Sequence, residues 1–139
     1  MLMSGLRLYK TEKLCSKIEI EKLYGGGTSI IAYPLRAVWL VAGADEVGGH
    51  RVAARFLVSI PKKRIRHAVD RVLLRRRVRE AYRLNRHLLE PVAAQGKVVL
   101  IGFNWLSNHE YSYATINRSM QEMLSKIAAT VSQPNEPCG

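Results

Sequence analysis

Apolar residues recur at helical spacing in three parts of the chain, and each part predicts an α-helix. The first helix covers residues 16–24 and ends at a run of glycines. The second covers residues 68–89, which include many strong helix formers, and Pro91 closes it. Ser112 can cap the third helix, in which these side chains share one face: Tyr113, Ile116, Met120, Met123, Leu124 and Ile127.

Runs of β-branched and aromatic residues between these helices predict three strands. Residues 30–42 form the first strand, in which Pro34 indicates an edge position or a bulge. Residues 51–60 form the second strand, and the glycine-rich turn before it predicts that the two strands pair as a hairpin. The short apolar run at 98–103 predicts a buried third strand.

The length and composition fit one compact domain. The chain has 139 residues, of which 47% are hydrophobic, and this fraction is sufficient for a core. We expect residues 1–10 to form an irregular N-terminal leader, residues 11–130 to form the single domain and residues 131–139 to be a disordered tail. No apolar run approaches the roughly 20 residues that span a bilayer, and the N-terminus lacks signal-peptide features, so we expect a soluble cytoplasmic protein.

Positive charge is concentrated in the middle of the chain. The sequence has 22 Lys and Arg residues against 11 Asp and Glu residues, which gives a net charge of +11. Residues 62–86 contain 11 of these 22 basic residues, and only Asp70 and Glu80 oppose them. Because such a surplus repels itself in a folded protein, it favours a polyanionic partner, either nucleic acid or an anionic membrane.

The predicted second helix places this charge on one side. At about 100° per residue, one face carries a row of arginines, with Arg76 at its edge: Arg71, Arg75, Arg79, Arg83 and Arg86. The opposite face is apolar: Leu74, Val78, Ala81, Leu84 and Leu88. A solvated helix usually alternates its charges, and a membrane-surface helix needs an apolar face that is free to enter lipid. Neither description fits, since the row has one sign and the core needs the apolar face, so we predict a nucleic-acid-binding helix.

The basic segment resembles the signature of the bacterial ribonuclease P protein subunit. The residues that carry the resemblance are, in order, Lys62-Lys63, Ala68-Val69-Asp70-Arg71, Arg75-Arg76 and Arg79-Glu80-Ala81-Tyr82-Arg83. Three positions depart from the family pattern. Val72 and Leu73 stand where the family has asparagine and arginine, and Arg77 stands where the family usually has an apolar residue.

The resemblance implies both a fold and an activity. The implied fold is α+β: a single-domain α/β sandwich that has a mixed sheet of about four strands, an N-terminal helix and a C-terminal helix. The basic helix lies in a left-handed β-α-β crossover, although such crossovers are usually right-handed. The implied function is that of the ribonuclease P protein subunit, which binds the catalytic RNA and the 5′ leader of precursor tRNA and promotes removal of that leader. Catalysis and most magnesium binding belong to the RNA, and no obligate protein partner is expected.

The resemblance also implies which residues contact RNA. The catalytic RNA is expected on the basic segment: Lys62, Lys63, Arg64, Arg66, Arg71, Arg75, Arg76, Arg79, Arg83 and Arg86. The single-stranded leader is expected in a cleft between the first helix and the sheet: Ile20, Tyr24, Arg36 and Arg55. No catalytic or metal site is expected in the protein, since its carboxylates do not cluster and its histidines are scattered. Two alternatives stay open: a structural RNA-binding protein of the ribosomal kind, and a protein-only ribonuclease.

Overall fold

The computed structural model describes residues 14, 17–43 and 54–132. Within these residues the elements follow in this order: α1 Lys17–Gly26, β1 Thr28–Ala32, β2 Leu35–Gly43, β3 Ala54–Ser59, α2 Ala68–Asn85, α3 Glu90–Ala94, β4 Lys97–Trp105 and α4 Tyr113–Ser132. A 3-10 helix, Arg86–Leu89, connects α2 to α3. The three predicted helices and the predicted short strand before the last helix are therefore all present.

The four strands form one mixed sheet in the order β1-β2-β4-β3. Strand β2 is antiparallel to both β1 and β4, whereas β3 and β4 are parallel. Because parallel neighbours cannot be joined by a tight turn, the chain crosses over between β3 and β4, and α2 and α3 lie in that crossover. The α+β class and the mixed four-stranded sheet are confirmed, and the handedness of the crossover stays a prediction.

The prediction of one strand over residues 30–42 is wrong. The segment forms two antiparallel strands, β1 and β2, joined by a turn that contains a cis peptide bond between Tyr33 and Pro34. Proline has no N–H group to donate to a sheet, so the chain turns at Pro34 instead of continuing as a strand. The carbonyl oxygen of Pro34 accepts a hydrogen bond from the backbone N–H of Leu106 at 2.8 Å, which ties the turn to the end of β4.

The predicted hairpin between the first and second strands is also wrong, because β4 lies between β2 and β3. Trp39 of β2 and Phe56 of β3 pair with the same residue of β4, Ile101, from opposite sides. Strand β4 is buried at seven of its nine positions, which includes residues on both faces of the sheet. A strand that is apolar on both faces is most stable in the interior of a sheet, so it separates the two strands that sequence proximity would pair.

Alternation along the strands divides the core into two layers. On one face of the sheet, Trp39, Phe56 and Phe103 belong to a large buried cluster with side chains of α2 and α4. On the other face, Val38 and Leu100 are buried with Leu23 of α1. Successive strand residues point to opposite faces, so α1 covers one side of the sheet while α2 and α4 cover the other.

Two helices differ from their predicted ends. Helix α1 continues through Gly26, and the backbone N–H of Gly27 then bonds the carbonyl oxygen of Leu23 at 2.8 Å. Helix α2 ends at Asn85, and Pro91 lies in the first turn of α3 instead of closing a longer helix. Proline is tolerated at this position because the N–H group it lacks has no partner in the first turn of a helix.

The C-terminal helix has the predicted apolar face. Tyr113 is partly buried. The other five predicted residues are fully buried: Ile116, Met120, Met123, Leu124 and Ile127. Ser112 accepts a hydrogen bond at its Oγ from the backbone N–H of Thr115 at 3.3 Å, as a capping residue does. The helix continues to Ser132, past the predicted domain end at residue 130. The predicted tail covers residues 131–139, and its first two residues belong to this helix. Residues 1–10, predicted as the leader, and residues 133–139 lie outside the described residues.

Candidate RNA interface

The rotation of α2 about its axis decides which arginines reach solvent. Its buried residues are Leu74, Val78, Ala81, Tyr82 and Asn85. The prediction is confirmed for the first three, but Leu84, which was also predicted to be buried, is 37% exposed. The ring centroids of Tyr82 and Phe56 in β3 lie 4.3 Å apart, so Tyr82 faces the core. Leu84 lies about 200° farther around the helix and therefore faces solvent. Leu88 falls in the 3-10 helix and is partly buried.

Basic side chains make up much of the remaining α2 surface. Arg76 lies on the exposed side, together with Val69 and Val72, which are 78% and 50% exposed. The predicted row of arginines is half-buried along one flank of the helix: Arg71, Arg75, Arg79, Arg83 and Arg86. The charged surface is therefore a broad band around Arg76, and two exposed valines interrupt it.

Three arginines of α2 have no side-chain hydrogen bond or ion pair within the described part of the chain: Arg75, Arg76 and Arg79. Like charges four residues apart, such as Arg75 and Arg79, destabilise a helix that has no counterion. Guanidinium groups bind phosphate through two parallel N–H bonds, so an external polyanion relieves this repulsion and satisfies the unused donors.

Two other arginines bind backbone carbonyl groups and hold the surface in place. Arg71 donates from Nη1 to the carbonyl oxygens of Ile65 at 3.0 Å and Arg66 at 2.9 Å, which fixes the segment before α2 against its first turn. Arg77 donates from Nη1 to the carbonyl oxygen of Tyr111 at 2.7 Å. The departure at Arg77 thus has a structural reason, because this side chain connects α2 to the segment that precedes α4.

Glu80 is paired with Arg83 on the same helix. Arg83 donates from Nη2 to Oε2 at 2.6 Å and from Nε to Oε1 at 3.1 Å. The hydrogen bonds from Arg83 lower the pKa of Glu80 below its usual value, and the same pair raises the pKa of Arg83. Both groups are therefore charged at neutral pH, and a fixed carboxylate stands within the basic band.

The basic residues before α2 form a short connector after β3. Pro61 accepts backbone hydrogen bonds from Arg64 at 2.9 Å and from Ile65 at 3.1 Å, and Ile65 is buried. This turn leaves three of the predicted RNA-binding side chains exposed: Lys62, Lys63 and Arg66. Arg64 is half-buried and donates to Oδ1 of Asn108 at 3.4 Å. The connector therefore adds exposed basic side chains directly before those of α2.

The predicted leader-binding residues lie around α1, on the other face of the sheet. Tyr24 is 43% exposed and donates from its hydroxyl to Oδ1 of Asn104 at 3.2 Å. Its ring covers Gly102, where an added Cβ would overlap the Tyr24 hydroxyl and lie 2.8 Å from Cζ. Ile20 is half-buried against the small core layer beneath α1.

The two strand arginines lie near opposite ends of α1. Arg36 is the cross-strand neighbour of Asn104, so it lies beside Tyr24, and its Nη2 donates to Oγ of Ser29 at 3.1 Å. Arg55 forms an ion pair with Glu19 in the first turn of α1, with 3.2 Å between Nη1 and Oε1. The structure therefore brings Tyr24 and Arg36 together at one end of the sheet and ties Arg55 to the N-terminal turn of α1.

Two residues of this cleft were missed from the sequence. Asn104 connects Tyr24 to the sheet, and Gly102 provides the space for the ring. A polar residue and a glycine inside an otherwise apolar strand were the available signals, since glycine in a strand marks close approach of another group. These two signals indicate a contact with Tyr24 only once β4 is known to lie beneath α1, and the sequence analysis did not predict that position for β4.

In residues 17–43 and 54–132, no group of three or more His, Cys, Asp or Glu side chains could hold a metal ion. The histidines described, His67, His87 and His109, are all exposed. None of the helices in the same part of the chain is long and apolar enough to cross a membrane.

Several known proteins resemble most of this chain in sequence. The sequence profile of the family described as Ribonuclease P matches residues 8–128. Proteins from two strains of Porphyromonas gingivalis, both named Ribonuclease P protein component, are 41% and 40% identical to this chain over 126 residues. Each match covers 89% of this chain and 88% of the relative.

Two solved structures have a similar fold. A structure of Staphylococcus aureus RNase P protein has a TM-score of 0.59 at 20% identity, and the match covers 88% of this chain and 98% of that one. A structure of an S. aureus RNase P protein mutant with defective mRNA degradation activity has a TM-score of 0.57 at 17% identity, over 86% and 90% of the two chains. At these identities the likeness concerns the fold alone.

Proposed function

This chain belongs to the Ribonuclease P family, and from that premise we propose that it is the protein subunit of a ribonucleoprotein that removes the 5′ leader of precursor tRNA. In this proposal the RNA subunit carries out the cleavage, and the protein binds both that RNA and the substrate. The observation that carries the proposal is the band of arginines on α2, three of which have no partner in the described residues: Arg75, Arg76 and Arg79.

The basic band is proposed to bind the catalytic RNA. The connector and α2 present adjacent positive groups on a rigid support, which suits a backbone that carries regularly spaced phosphates. Arg71 donates hydrogen bonds to the carbonyl groups of Ile65 and Arg66, so its first role is to hold the connector against α2. The direct contacts to phosphate are then assigned mainly to the arginines without partners and to Lys62 and Lys63.

The cleft beside α1 is proposed to bind the single-stranded leader. Tyr24 offers a partly exposed aromatic ring for base stacking, and Arg36 lies beside it with a cationic group for phosphate. The Asn104 amide holds the Tyr24 hydroxyl and so fixes the orientation of the ring. Aromatic rings and cationic groups are the groups that single-stranded RNA sites commonly combine.

Magnesium enters the proposal as an ion bound mainly by the RNA. Hard divalent cations prefer oxygen ligands, and RNA phosphates supply them in quantity. A cationic protein that neutralises some of these phosphates lowers the magnesium concentration at which the RNA takes up substrate. The proposal places the complex in the cytoplasm, without an obligate protein partner.

Cleavage of precursor tRNA tests the proposal and separates it from the two alternatives. The assay is run at limiting magnesium with the cognate RNA subunit alone, the protein alone and both together. We expect the combination to cleave much faster than the RNA alone. A protein that binds the RNA without stimulating it would be a structural RNA-binding protein, and cleavage by the protein alone would indicate a protein-only ribonuclease.

A further inference from the structure

A depression of about 340 Å³ lies on the exposed surface of α2. Its lining consists of one valine, three arginines and one glutamate: Val72, Arg75, Arg76, Arg79 and Glu80. All five side chains belong to α2, so the depression is a groove on the helix surface that is open to solvent. Val72 is 50% exposed although charged residues surround it.

The chemistry of this depression differs from that of a simple phosphate site. The methyl groups of Val72 can donate no hydrogen bond, and the charged carboxylate of Glu80 repels phosphate. Arg83 donates to both oxygens of that carboxylate, from Nη2 at 2.6 Å and from Nε at 3.1 Å, and so holds the negative charge in place. A surface evolved for phosphate alone gains nothing from either group.

The same groups suit an unpaired nucleobase. A base has an apolar flat face that can pack on Val72 and on the planes of the arginine side chains. Its edge carries N–H donors, which a carboxylate accepts, and each oxygen of Glu80 retains a lone pair beyond the one that Arg83 uses. The phosphates on either side of such a base are then within the reach of the arginines that have no partner in the described residues.

We propose that this depression binds one unpaired nucleobase of the RNA partner, with Val72 beneath the base and Glu80 accepting from its edge. The inference rests on the proposed function, because it assumes that α2 faces RNA. It gives the band a specificity-determining element at Val72, the one apolar side chain that lines the depression.

A pair of matched variants tests the apolar contact. Val72→Ser removes the methyl groups inside the depression, and Val69→Ser makes the same change three residues earlier, at a valine that is 78% exposed and does not line it. Affinity for the full cognate RNA subunit is measured over a series of salt concentrations. We expect Val72→Ser to bind about five-fold more weakly with an unchanged salt slope, because it loses apolar burial and no charge. Val69→Ser should bind like the unchanged protein.

Chemical probing of the same RNA identifies the base. Reagents that modify the Watson–Crick edges of unpaired bases are applied to the RNA alone, to the RNA with the unchanged protein and to the RNA with each variant. One unpaired base should be protected by the unchanged protein and by Val69→Ser, and should become reactive again with Val72→Ser. Circular dichroism of both variants confirms that they are equally folded.

The outcomes separate this inference from the proposed function. If both serine variants bind equally well and protect the same bases, the depression binds no base, while the proposed function stands as long as the unchanged protein stimulates cleavage. A steeper or flatter salt slope for Val72→Ser would also overturn the inference, since it would indicate an altered phosphate contact. Failure of the unchanged protein to bind the RNA at all would overturn both.

Discussion

Arg77 of α2 donates a hydrogen bond from Nη1 to the backbone carbonyl oxygen of Tyr111, with 2.7 Å between the two atoms. The ring of Tyr111 in turn meets the rings of Tyr33 and Trp105 edge-on, each at 6.0 Å between centroids. One charged side chain therefore connects the basic helix to the β1–β2 turn and to the end of β4. This arginine serves the fold, although it stands in the most basic part of the sequence.

Replacement of Arg77 by alanine should reduce stability more than RNA binding. A hydrogen bond from a charged donor contributes about 1.5–3 kcal/mol, and the variant also leaves the Tyr111 carbonyl without this donor. We expect the free energy of unfolding in urea to fall by about 2 kcal/mol. Arg76→Ala is the matched control, because Arg76 is exposed and has no partner in the described residues, and its stability should change by less than about 0.5 kcal/mol. Equal stability of the two variants would contradict this role.

Arg75→Ala and Arg79→Ala should weaken binding to the RNA subunit and flatten its salt dependence. Each arginine that neutralises one phosphate releases about one counterion, so each variant should lower the slope of log affinity against log salt by about 0.7–0.9. Affinity measured between low and moderate salt gives this slope directly. Arg77→Ala serves as the control, since its guanidinium binds a carbonyl group, and its slope should match that of the unchanged protein. Unaltered slopes for Arg75→Ala and Arg79→Ala would show that this flank does not face phosphate.

The sequence allowed the helices to be predicted better than the sheet. Helical periodicity is local, so residues such as Ile116 and Met123 revealed the buried face of α4 without knowledge of their partners. Strand pairing is a relationship between distant segments, and proximity along the chain suggested a hairpin that β4 interrupts. Pro34 was recognised as a break in a strand, but its consequence, a turn between two strands, depends on tertiary contacts such as the bond to Leu106.

The candidate site was predictable in composition and less so in arrangement. The charge row on α2 could be derived from spacing, yet the separate roles of Arg71 and Arg77 depend on carbonyl groups in other segments. Burial of Tyr82 and Asn85 was missed because a helical wheel treats polar and aromatic positions as uncertain, and their partners lie in β3 and α4. Polar residues inside a core require a partner, and that partner cannot be read from local periodicity.

Asn85→Leu should destabilise the contact between α2 and α4. The Asn85 amide nitrogen donates to the carbonyl oxygen of Ala81 at 2.8 Å and to Oδ1 of Asn117 at 2.6 Å, and its Oδ1 accepts from Gln121 at 3.2 Å. Leucine fills a similar volume but removes these bonds from the other amides, so we expect a loss of about 2 kcal/mol in urea unfolding.

Asn108→Leu is the control for the Asn85 variant. Asn108 is exposed, and within the described residues its side chain accepts one long hydrogen bond, at 3.4 Å from Arg64. Its replacement should change stability by less than about 0.5 kcal/mol. If Asn85→Leu proved as stable as the control, the amide cluster would contribute no net stability and hydrophobic packing would be sufficient at this position.

The Glu80–Arg83 pair should make stability depend on acid pH. Because the pKa of Glu80 is lowered in the folded protein, the pair stabilises the fold above the usual carboxyl value of 4.5 and loses this effect as pH falls through the lower folded value. The difference in unfolding free energy between the unchanged protein and Glu80→Gln should therefore shrink from about pH 6 to about pH 3. Glu122→Gln in α4 is the control, since its pair with Lys126 is more than half exposed on both sides and should contribute little at any pH. A constant difference for Glu80→Gln would contradict the assigned pairing.

Gly102→Ala should impair the leader cleft while leaving the basic band intact. A methyl group at this position would lie 2.8 Å from Cζ of Tyr24, so the ring must leave the sheet and lose its hydrogen bond to Asn104. Since Tyr24 is already 43% exposed, the ring can move outward at little cost to the fold. Base stacking contributes about 1–3 kcal/mol, which predicts a loss of roughly 5-fold to 150-fold in affinity for precursor tRNA with a leader.

The control for this variant is Gly25→Ala, at a glycine where an added Cβ meets nothing within 4 Å. Both variants are assembled with the RNA subunit and compared on precursor tRNA with its leader and on mature tRNA without one. Gly102→Ala should weaken binding of the precursor only, because mature tRNA has no nucleotides for the cleft to hold, and Gly25→Ala should affect neither. Equal weakening of both tRNAs by Gly102→Ala would mean that the glycine supports the assembly with RNA and that Tyr24 is not a leader contact.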